Sequence, residues 1–449
     1  MGETYPESRR FDVVIIGSGI LGASTAYFLS DLKGLKVAIL DSESAPGLHA
    51  SSRNTGVIHR PFYLNPSIKG FIAEAASKSY ELWKSFAHEF RLPWIQNGTF
   101  EVANGSAGIR TIRNYADFAR KNGMKPEEIE VLDQEEIRKR YPSIEAECGI
   151  FSRTDTGVDF GAFVRKLVDL SSRNGVTFLA GREVKYLYET DDGVMIVTQE
   201  DGKVQSYHSN FVVNVAGTGS LNIARKMGLA LEFGLLLFRG DYWKVDSSYD
   251  PGFSFNLYSV PRYSRFPFLD PHFIIRWNKT MEVGPNASLV FSSDDYTGLY
   301  PNVSSVIKSL GESNIVPKIS LFGNREFMSM VRSEWKSSVD RDSMAGRLRR
   351  YLPSLNDRVI TSRGTGGIRG SLVDREGFVP EMITRKTGSS IHVLNYNSPG
   401  ATGAPYVGFR IASVIMGSGM FGSLDSGGNI LSDWGELLQK HEEYPRMDV

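Results

Sequence analysis

The chain has 449 residues, 41% of them hydrophobic and 23% charged, with 51 basic residues balanced by 51 acidic ones. That length supports two domains with sizeable cores, and a formal net charge of +0 removes the electrostatic footprint of a nucleic-acid binder. A single cysteine, Cys148, excludes intrachain disulfides and cysteine-rich zinc sites; it suits a reducing compartment, with a small buried thiol as its ordinary role.

Residues 1–10 form a polar leader expected to fray. Residues 11–16 are a short apolar run that stops at Gly17, and helix-forming sequence follows at once. That pattern reads as a buried strand turning tightly into a helix. In Gly17-Ser18-Gly19-Ile20-Leu21-Gly22, Gly17 permits the turn, Gly19 lets backbone approach a pyrophosphate, and Gly22 lets helix pack close on strand. The helix start offers free N–H groups and a positive dipole end to phosphates. Residues 23–32 continue as helix and 35–40 as a second strand. Asp41 ends that strand about twenty residues past the glycines, where an acid binds ribose hydroxyls. An aspartate there disfavours a 2′-phosphate, so the βαβ unit reads as a site for FAD or NAD rather than NADP.

Residues 42–59 are dense in small, polar and glycine residues, yet end in Val57-Ile58-His59. A solvent linker has no need of that apolar pair, so the expectation is a loop entering a helix packed near the cofactor. Residues 67–90 read as a long helix with Ser67 as N-cap. A strand at 99–103 and helices at 115–121 and 133–140 follow. Residues 160–173 read as helix and 176–179 as strand, and 183–187 with 194–198 as a hairpin closing near Asp192-Gly193. Residues 211–217 are a buried strand ending in small residues, with a helix over 220–227. Aromatic and strand-like runs dominate 231–351. A strand at 392–395 leads to Ser398-Pro399-Gly400-Ala401-Thr402-Gly403, a second glycine turn that opens a helix. No run is long and apolar enough to cross a bilayer, and no early stretch has the form of a signal peptide.

Gly47-Leu48-His49-Ala50-Ser51-Ser52-Arg53-Asn54-Thr55-Gly56-Val57-Ile58-His59 resembles the flavin-loop signature of the D-amino-acid oxidase-like superfamily of FAD oxidoreductases, and within it the L-2-hydroxyglutarate dehydrogenases. Phe238-Arg239-Gly240-Asp241-Tyr242-Trp243, Pro267-Phe268-Leu269 with His272-Phe273 and Arg276, and Val283-Gly284-Pro285-Asn286-Ala287 resemble the same enzymes. The resemblance implies an α/β fold: an FAD-binding Rossmann-like domain of the glutathione-reductase type with a discontinuous α+β mixed-sheet substrate domain. The FAD domain is expected over 1–75, 151–230 and 361–449, and the substrate domain over 76–150 and 231–360. FAD is the implied cofactor. Its expected contacts are Gly17, Ser18, Gly19, Ile20, Leu21, Gly22, Asp41, Ser42, Ser51, Ser52, Arg53, Asn54 and Thr55, with adenine near Val184. Ala216 and Gly217 would close beneath the pyrophosphate. Gly367, Arg369, Pro399, Gly400, Ala401 and Thr402 would lie toward the flavin ring.

The activity so implied is oxidation of a small-molecule acid, an L-2-hydroxy acid resembling 2-hydroxyglutarate, to the 2-oxo acid. Such chemistry needs a base for the hydroxyl proton and cations for the acid groups, while the cofactor carries the hard step. His59 is the first candidate base and His272 the second; a packed, structural histidine is the alternative for each. Arg239, Arg276 and Arg369 are candidate carboxylate holders, set against structural ion pairing. Tyr242, Tyr258 and Tyr63 are candidate donors, set against core packing. His49 raises covalent attachment of FAD, with non-covalent binding preferred. Arg60-Pro61 departs from the family's small residues after the histidine, and a cation there keeps a phosphorylated acid in view. The alternatives are therefore glycerol-3-phosphate dehydrogenase or amino-acid oxidase on the same fold, a flavin-binding scaffold without turnover, and a nicotinamide enzyme, which the second glycine turn opposes. The implied electron acceptor is a quinone or another carrier, with oxygen left open. The expected location is cytoplasmic, with peripheral contact on the inner face of the membrane.

Overall fold

The computed structural model describes residues 9–421 and residue 430, except 263–265, 269 and 299–302. The polar leader therefore lies outside the described residues up to residue 8, as does Leu269 of the aromatic motif.

The expected βαβ unit is formed by β1 (Arg9–Ile16), α1 (Ile20–Leu29) and β2 (Val37–Leu40). β1 runs parallel between β2 and the strand Lys203–Asn214, with Ile16 level with both Leu40 and Asn214. Strands Ser390–Leu394 and Thr177–Leu179 extend the sheet in parallel on either side. All five strands end on one rim, where ligands bind in open α/β sheets. The period-2 alternation of β1 divides its side chains between two cores. Val13 and Ile15 face α1, the helix Phe160–Arg173 and the helix Gly400–Gly417. Val14 and Ile16 face the hairpin Glu183–Thr190/Gly193–Glu200 and the helix Ser220–Lys226. Covered on both faces, the strand reads as a near-continuous apolar run.

The helix α2 (Pro66–Glu89) is capped by Asn65, whose side chain accepts from Ser67 N–H, so the cap lies two residues before the expected Ser67. Its apolar face packs on Gly400–Gly417 and α1 through Ala75, Trp83 and Phe86. A β-carbon at Gly403 would come 2.9 Å from the Ala75 side chain, and one at Gly408 2.9 Å from that of Ser24. The C-terminal helix is thus wedged between α1 and α2 at distances only glycine permits. The boundary expected between 75 and 76 consequently falls inside α2, past its break at Lys69, in the part that stays with the nucleotide-binding sheet.

A second, mixed eight-stranded sheet has Thr99–Ala103 third from one edge, parallel to Asn256–Ser259 and antiparallel to Cys148–Ser152. A four-stranded antiparallel sheet pairs Gly234–Gly240 with Gly367–Asp374. Strand Ile360–Arg363 also joins the second sheet. The return to the nucleotide-binding sheet expected from 361 therefore comes later, at Ile383–Lys386.

Two further expectations shift. Val57–Ile58 is a two-residue strand paired with Thr156–Gly157, followed by a 3-10 turn Pro61–Tyr63, rather than the start of a helix. Residues 231–351 are strand-rich only in their first part; Val303–Gly311, Ile315–Phe322, Arg325–Val339 and Arg341–Leu348 are helices. No helix among the described residues is long and apolar enough to cross a membrane.

Candidate active site

At the rim of the first sheet, Gly17 takes φ +104°, and a β-carbon there would meet the Val215 carbonyl oxygen at 2.7 Å. A β-carbon at Gly22 would lie 1.9 Å from the Gly17 carbonyl oxygen. Both glycines are thus required by packing alone. Asp41 Oδ2 accepts from Ser18 N–H at 2.6 Å and from Ser18 Oγ at 2.5 Å, while Oδ1 accepts from Glu43 N–H at 2.9 Å. Gly19 caps α1 without a side-chain bond, and the Ile20 N–H reaches Ser51 Oγ of the flavin-loop motif at 2.9 Å. Ser42 and Ser52 are exposed beside this turn. Asn54 ties the motif together, donating to Ala50 O and Ser51 O and accepting from Gly56 N–H. Arg53 lies over the Tyr296 ring, its guanidinium carbon 4.1 Å from the centroid. Val184 and Ala216 each pack at the edge of the second core of this sheet. Gly217, at φ +58°, opens onto free space. Gly367 lies so close to the Arg53 carbonyl that a β-carbon would stand 1.9 Å from its oxygen.

The two distant turns meet. His59 N–H donates to Thr402 Oγ1 at 3.1 Å, and Trp83 Nε1 donates to Ala401 O and Thr402 O at 3.2 and 3.0 Å. The helix that begins at Gly400, after Pro399, has no side-chain cap, so its N-terminal dipole faces this junction.

His59 Nδ1 lies 2.7 Å from Asp155 Oδ2. Asp155 is fully buried and also accepts from Arg60 N–H at 2.9 Å and Ser152 Oγ at 2.7 Å. A carboxylate on Nδ1 makes that nitrogen the donor and leaves Nε2 with a lone pair. Nε2 lies 3.4 Å from Tyr258 Oη, and the Tyr63 ring stands edge-on to the imidazole. Behind this cluster Glu101 is buried, and its carboxyl is pushed up to about 8 by burial and by the neighbouring Asp155. His272 stacks on Tyr258 at 3.7 Å between centroids. Burial, with His59 nearby, pushes its imidazole down to about 3, so this ring is neutral.

The cations expected to hold substrate divide sharply. Arg239 is spent internally: Nε donates to Asp241 at 2.8 Å and an Nη donates to the Gly298 carbonyl at 2.7 Å. Arg276 pairs with Glu282 at 2.6 Å and donates to the Asn54 and Thr55 carbonyls at 3.0 Å, clamping the flavin-loop motif to the second sheet. Tyr242 completes that clamp, its hydroxyl 3.0 Å from Thr55 Oγ1. Arg60 is turned away, paired with Glu128 at 3.0 Å and lying over the Tyr80 ring. Arg369 differs. It is half-buried, donates to the Pro267 carbonyl and lies over Phe268, but among the described residues no carboxylate pairs with it. Burial pulls its guanidinium down to about 10, with only Tyr242 opposing. His49 is engaged at both nitrogens, by Tyr296 Oη at 2.5 Å and Glu43 at 3.0 Å.

The model of the FAD dependent oxidoreductase (DAO) family matches residues 12–414. The chain belongs to this family. It is similar to the L-2-hydroxyglutarate dehydrogenase of Escherichia coli K12, at 28% identity over 90% of this chain and 93% of that one. It is also similar to the mitochondrial L-2-hydroxyglutarate dehydrogenase of Homo sapiens, at 25% identity over 92% and 90%. Among solved structures, the FAD-bound L-alpha-glycerophosphate oxidase of Mycoplasma pneumoniae aligns over 93% of this chain and 96% of that one, with TM-score 0.70 and 19% identity. That likeness is one of fold.

As a member of the DAO family the chain is an FAD-dependent oxidoreductase, and its own residues fit the cofactor. The start of α1, where Gly19 brings no capping side chain of its own, and the Asp41 carboxylate on the same rim form the donor and acceptor set that a dinucleotide needs. FAD would be held by that set and by the flavin-loop motif. Asp155, Glu101 and Glu282 went unnoticed in the sequence. Asp155 stands 96 positions from His59 and carries no local mark.

Proposed function

We propose that the chain oxidises an L-2-hydroxy acid, with L-2-hydroxyglutarate first, to the corresponding 2-oxo acid. FAD, when bound, supplies the hydride acceptor. His59 takes the hydroxyl proton on Nε2, and Asp155 holds the ring through Nδ1–H so that Nε2 stays a lone-pair acceptor. Arg369 pairs with the carboxylate beside the hydroxyl. Tyr258 orients His59, and His272, stacked behind it, keeps the tyrosine in place. FAD binding is non-covalent, since His49 already serves Glu43 and Tyr296. The electron acceptor is a quinone or another carrier reached at the inner face of a membrane from the cytoplasm.

The His59–Asp155 pair carries this reading, because it supplies a directed base where the two turns meet. The full-length likeness to the two dehydrogenases points to the substrate. The phosphate alternative drew on Arg60, whose guanidinium instead faces Glu128. The test is an anaerobic panel of L-2-hydroxyglutarate, glycerol 3-phosphate and amino acids, read as loss of flavin colour. Bleaching by the hydroxy acid is expected. Bleaching by only glycerol 3-phosphate or an amino acid, or by dithionite alone, would overturn the proposal.

A further inference from the structure

One cavity, of about 40 Å³, opens where α2 begins, beside the second glycine turn. Lys69, Arg369, Glu381, Asn397 and Ser398 line it, and its volume is that of a small polar head. It lies next to the base: Ser398 of its wall neighbours Tyr63, whose ring is edge-on to His59. Lys69 breaks the helical geometry of α2 at φ −128° and ψ 37°, and its side chain reaches the cavity at that break. Asn395 sets the opposite wall by donating to the Val379 and Glu381 carbonyls at 2.8 Å.

Charge in this wall is unbalanced. Two cations, Lys69 and Arg369, face one acid, and buried Glu381 Oε1 has no hydrogen-bond partner among the described residues. A buried acceptor left so is costly, as are two neighbouring cations without matching anions. A ligand carboxylate supplies the missing anion, and it accepts an O–H from Glu381 when that acid is neutral.

We propose that Lys69 and Glu381 form a subsite for the second carboxylate of a dicarboxylic 2-hydroxy acid, the first carboxylate being held by Arg369. This deepens the reading of the site given above and rests on it. Lys69 supplies charge to the distal carboxylate. Glu381 in its neutral form donates O–H to the same carboxylate, and Oε1 gains its missing partner. The groups facing Glu381 are Lys69 from α2, the Phe71 backbone N–H from the same helix, and the shared cavity wall at Arg369. Burial raises the Glu381 carboxyl to about 7, with Lys69 opposing. Above that pH the ionised acid competes with the substrate for Lys69 and repels it. KM for a dicarboxylate therefore rises with pH above about 7, while that for a monocarboxylate does not.

The test uses the FAD-loaded enzyme with L-2-hydroxyglutarate and L-2-hydroxyvalerate, which share a chain length and differ in the distal carboxylate. Lys69→Met raises KM for the dicarboxylate about 10–100-fold with a smaller change in kcat, the span expected for a charge-assisted bond, and leaves the monocarboxylate within twofold. Glu381→Gln puts a non-titrating amide N–H donor in place of the acid's O–H and flattens the pH dependence of that KM. Equal effects of Lys69→Met on both acids, or on neither, overturn the proposal. Binding of glutarate and valerate, followed by thermal shift, separates this outcome from failure of the proposed reaction. Tighter binding of glutarate that Lys69→Met abolishes keeps the subsite even if neither hydroxy acid bleaches the flavin. Equal binding of the two by the wild type sinks the subsite whatever the enzyme oxidises.

Discussion

Replacing Asp155 with asparagine tests whether the buried carboxylate works through His59. The carboxylate lies 2.7 Å from Nδ1, and positive charge develops on the ring as Nε2 takes a proton. Unit charges with centres about 4 Å apart interact by ~4 kcal/mol at an effective dielectric of 20. That corresponds to roughly a thousandfold in rate. Asparagine preserves shape: its oxygen can still accept from Arg60 N–H and Ser152 Oγ, so folding is retained. Its NH₂ would then face Nδ1 and force the ring to carry its proton on Nε2, the wrong tautomer for a base. The assay is stopped-flow flavin reduction by L-2-hydroxyglutarate without oxygen, alongside the visible spectrum and Tm. The expected result is a fall of about three decades in the reduction rate, with bound flavin unchanged. A rate within about threefold of the wild type, with His59→Ala equally active, would refute the assignment of His59 and Asp155 together.

Arg369→Met should raise KM for hydroxy acids about 10–100-fold with Tm little changed, measured by steady-state kinetics and thermal melts. Arg239→Met should do the reverse: it leaves Asp241 buried without its cation and costs about 3–5 kcal/mol, seen as a lower Tm in thermal melts. Gly22→Ala would place a β-carbon 1.9 Å from the Gly17 carbonyl, so purified protein should be colourless or insoluble; a yellow, stable product would contradict the packing. Burial holds the His272 imidazole near 3, so between there and about 6.5 the unfolded chain binds a proton that the folded one does not, and stability falls as pH drops through that window. At pH 5 this amounts to about 2 kcal/mol, and His272→Gln should flatten the fall of Tm between pH 6 and 4.

The nucleotide-binding unit was legible because its constraints are local. The glycine spacing in 17–22 follows from contacts a few ångströms long between adjacent elements, and Asp41 from the strand that must end on the same rim. The meeting of His59 with Thr402 was legible only through resemblance, since 343 positions separate them. Helices within 303–348 were hidden by reading the whole of 231–351 from the aromatic, strand-like runs of its first part. Yet in Arg325–Val339 the buried positions Phe327, Met330, Glu334 and Ser337 recur at helical spacing.

The arginines show where resemblance and physics part. Arg239-Gly240-Asp241 places opposite charges two residues apart on a strand, hence on one face, and that local pattern already favours an internal pair over a substrate contact. Arg276 and Glu282 lie across a hairpin where Ile274 is level with Glu282, so the same inference holds there. Arg369 has no acid at either spacing: Gly367 and Ser371 stand two residues away on its own strand, and the strand beside it carries Phe238 in register, flanked at that spacing by Leu236 and Gly240. A desolvated guanidinium that forms no ion pair within the fold gains most from an anion supplied from outside. Scanning each arginine for an acid at the spacing its own element dictates therefore separates the cation left for a ligand from those the fold has already used.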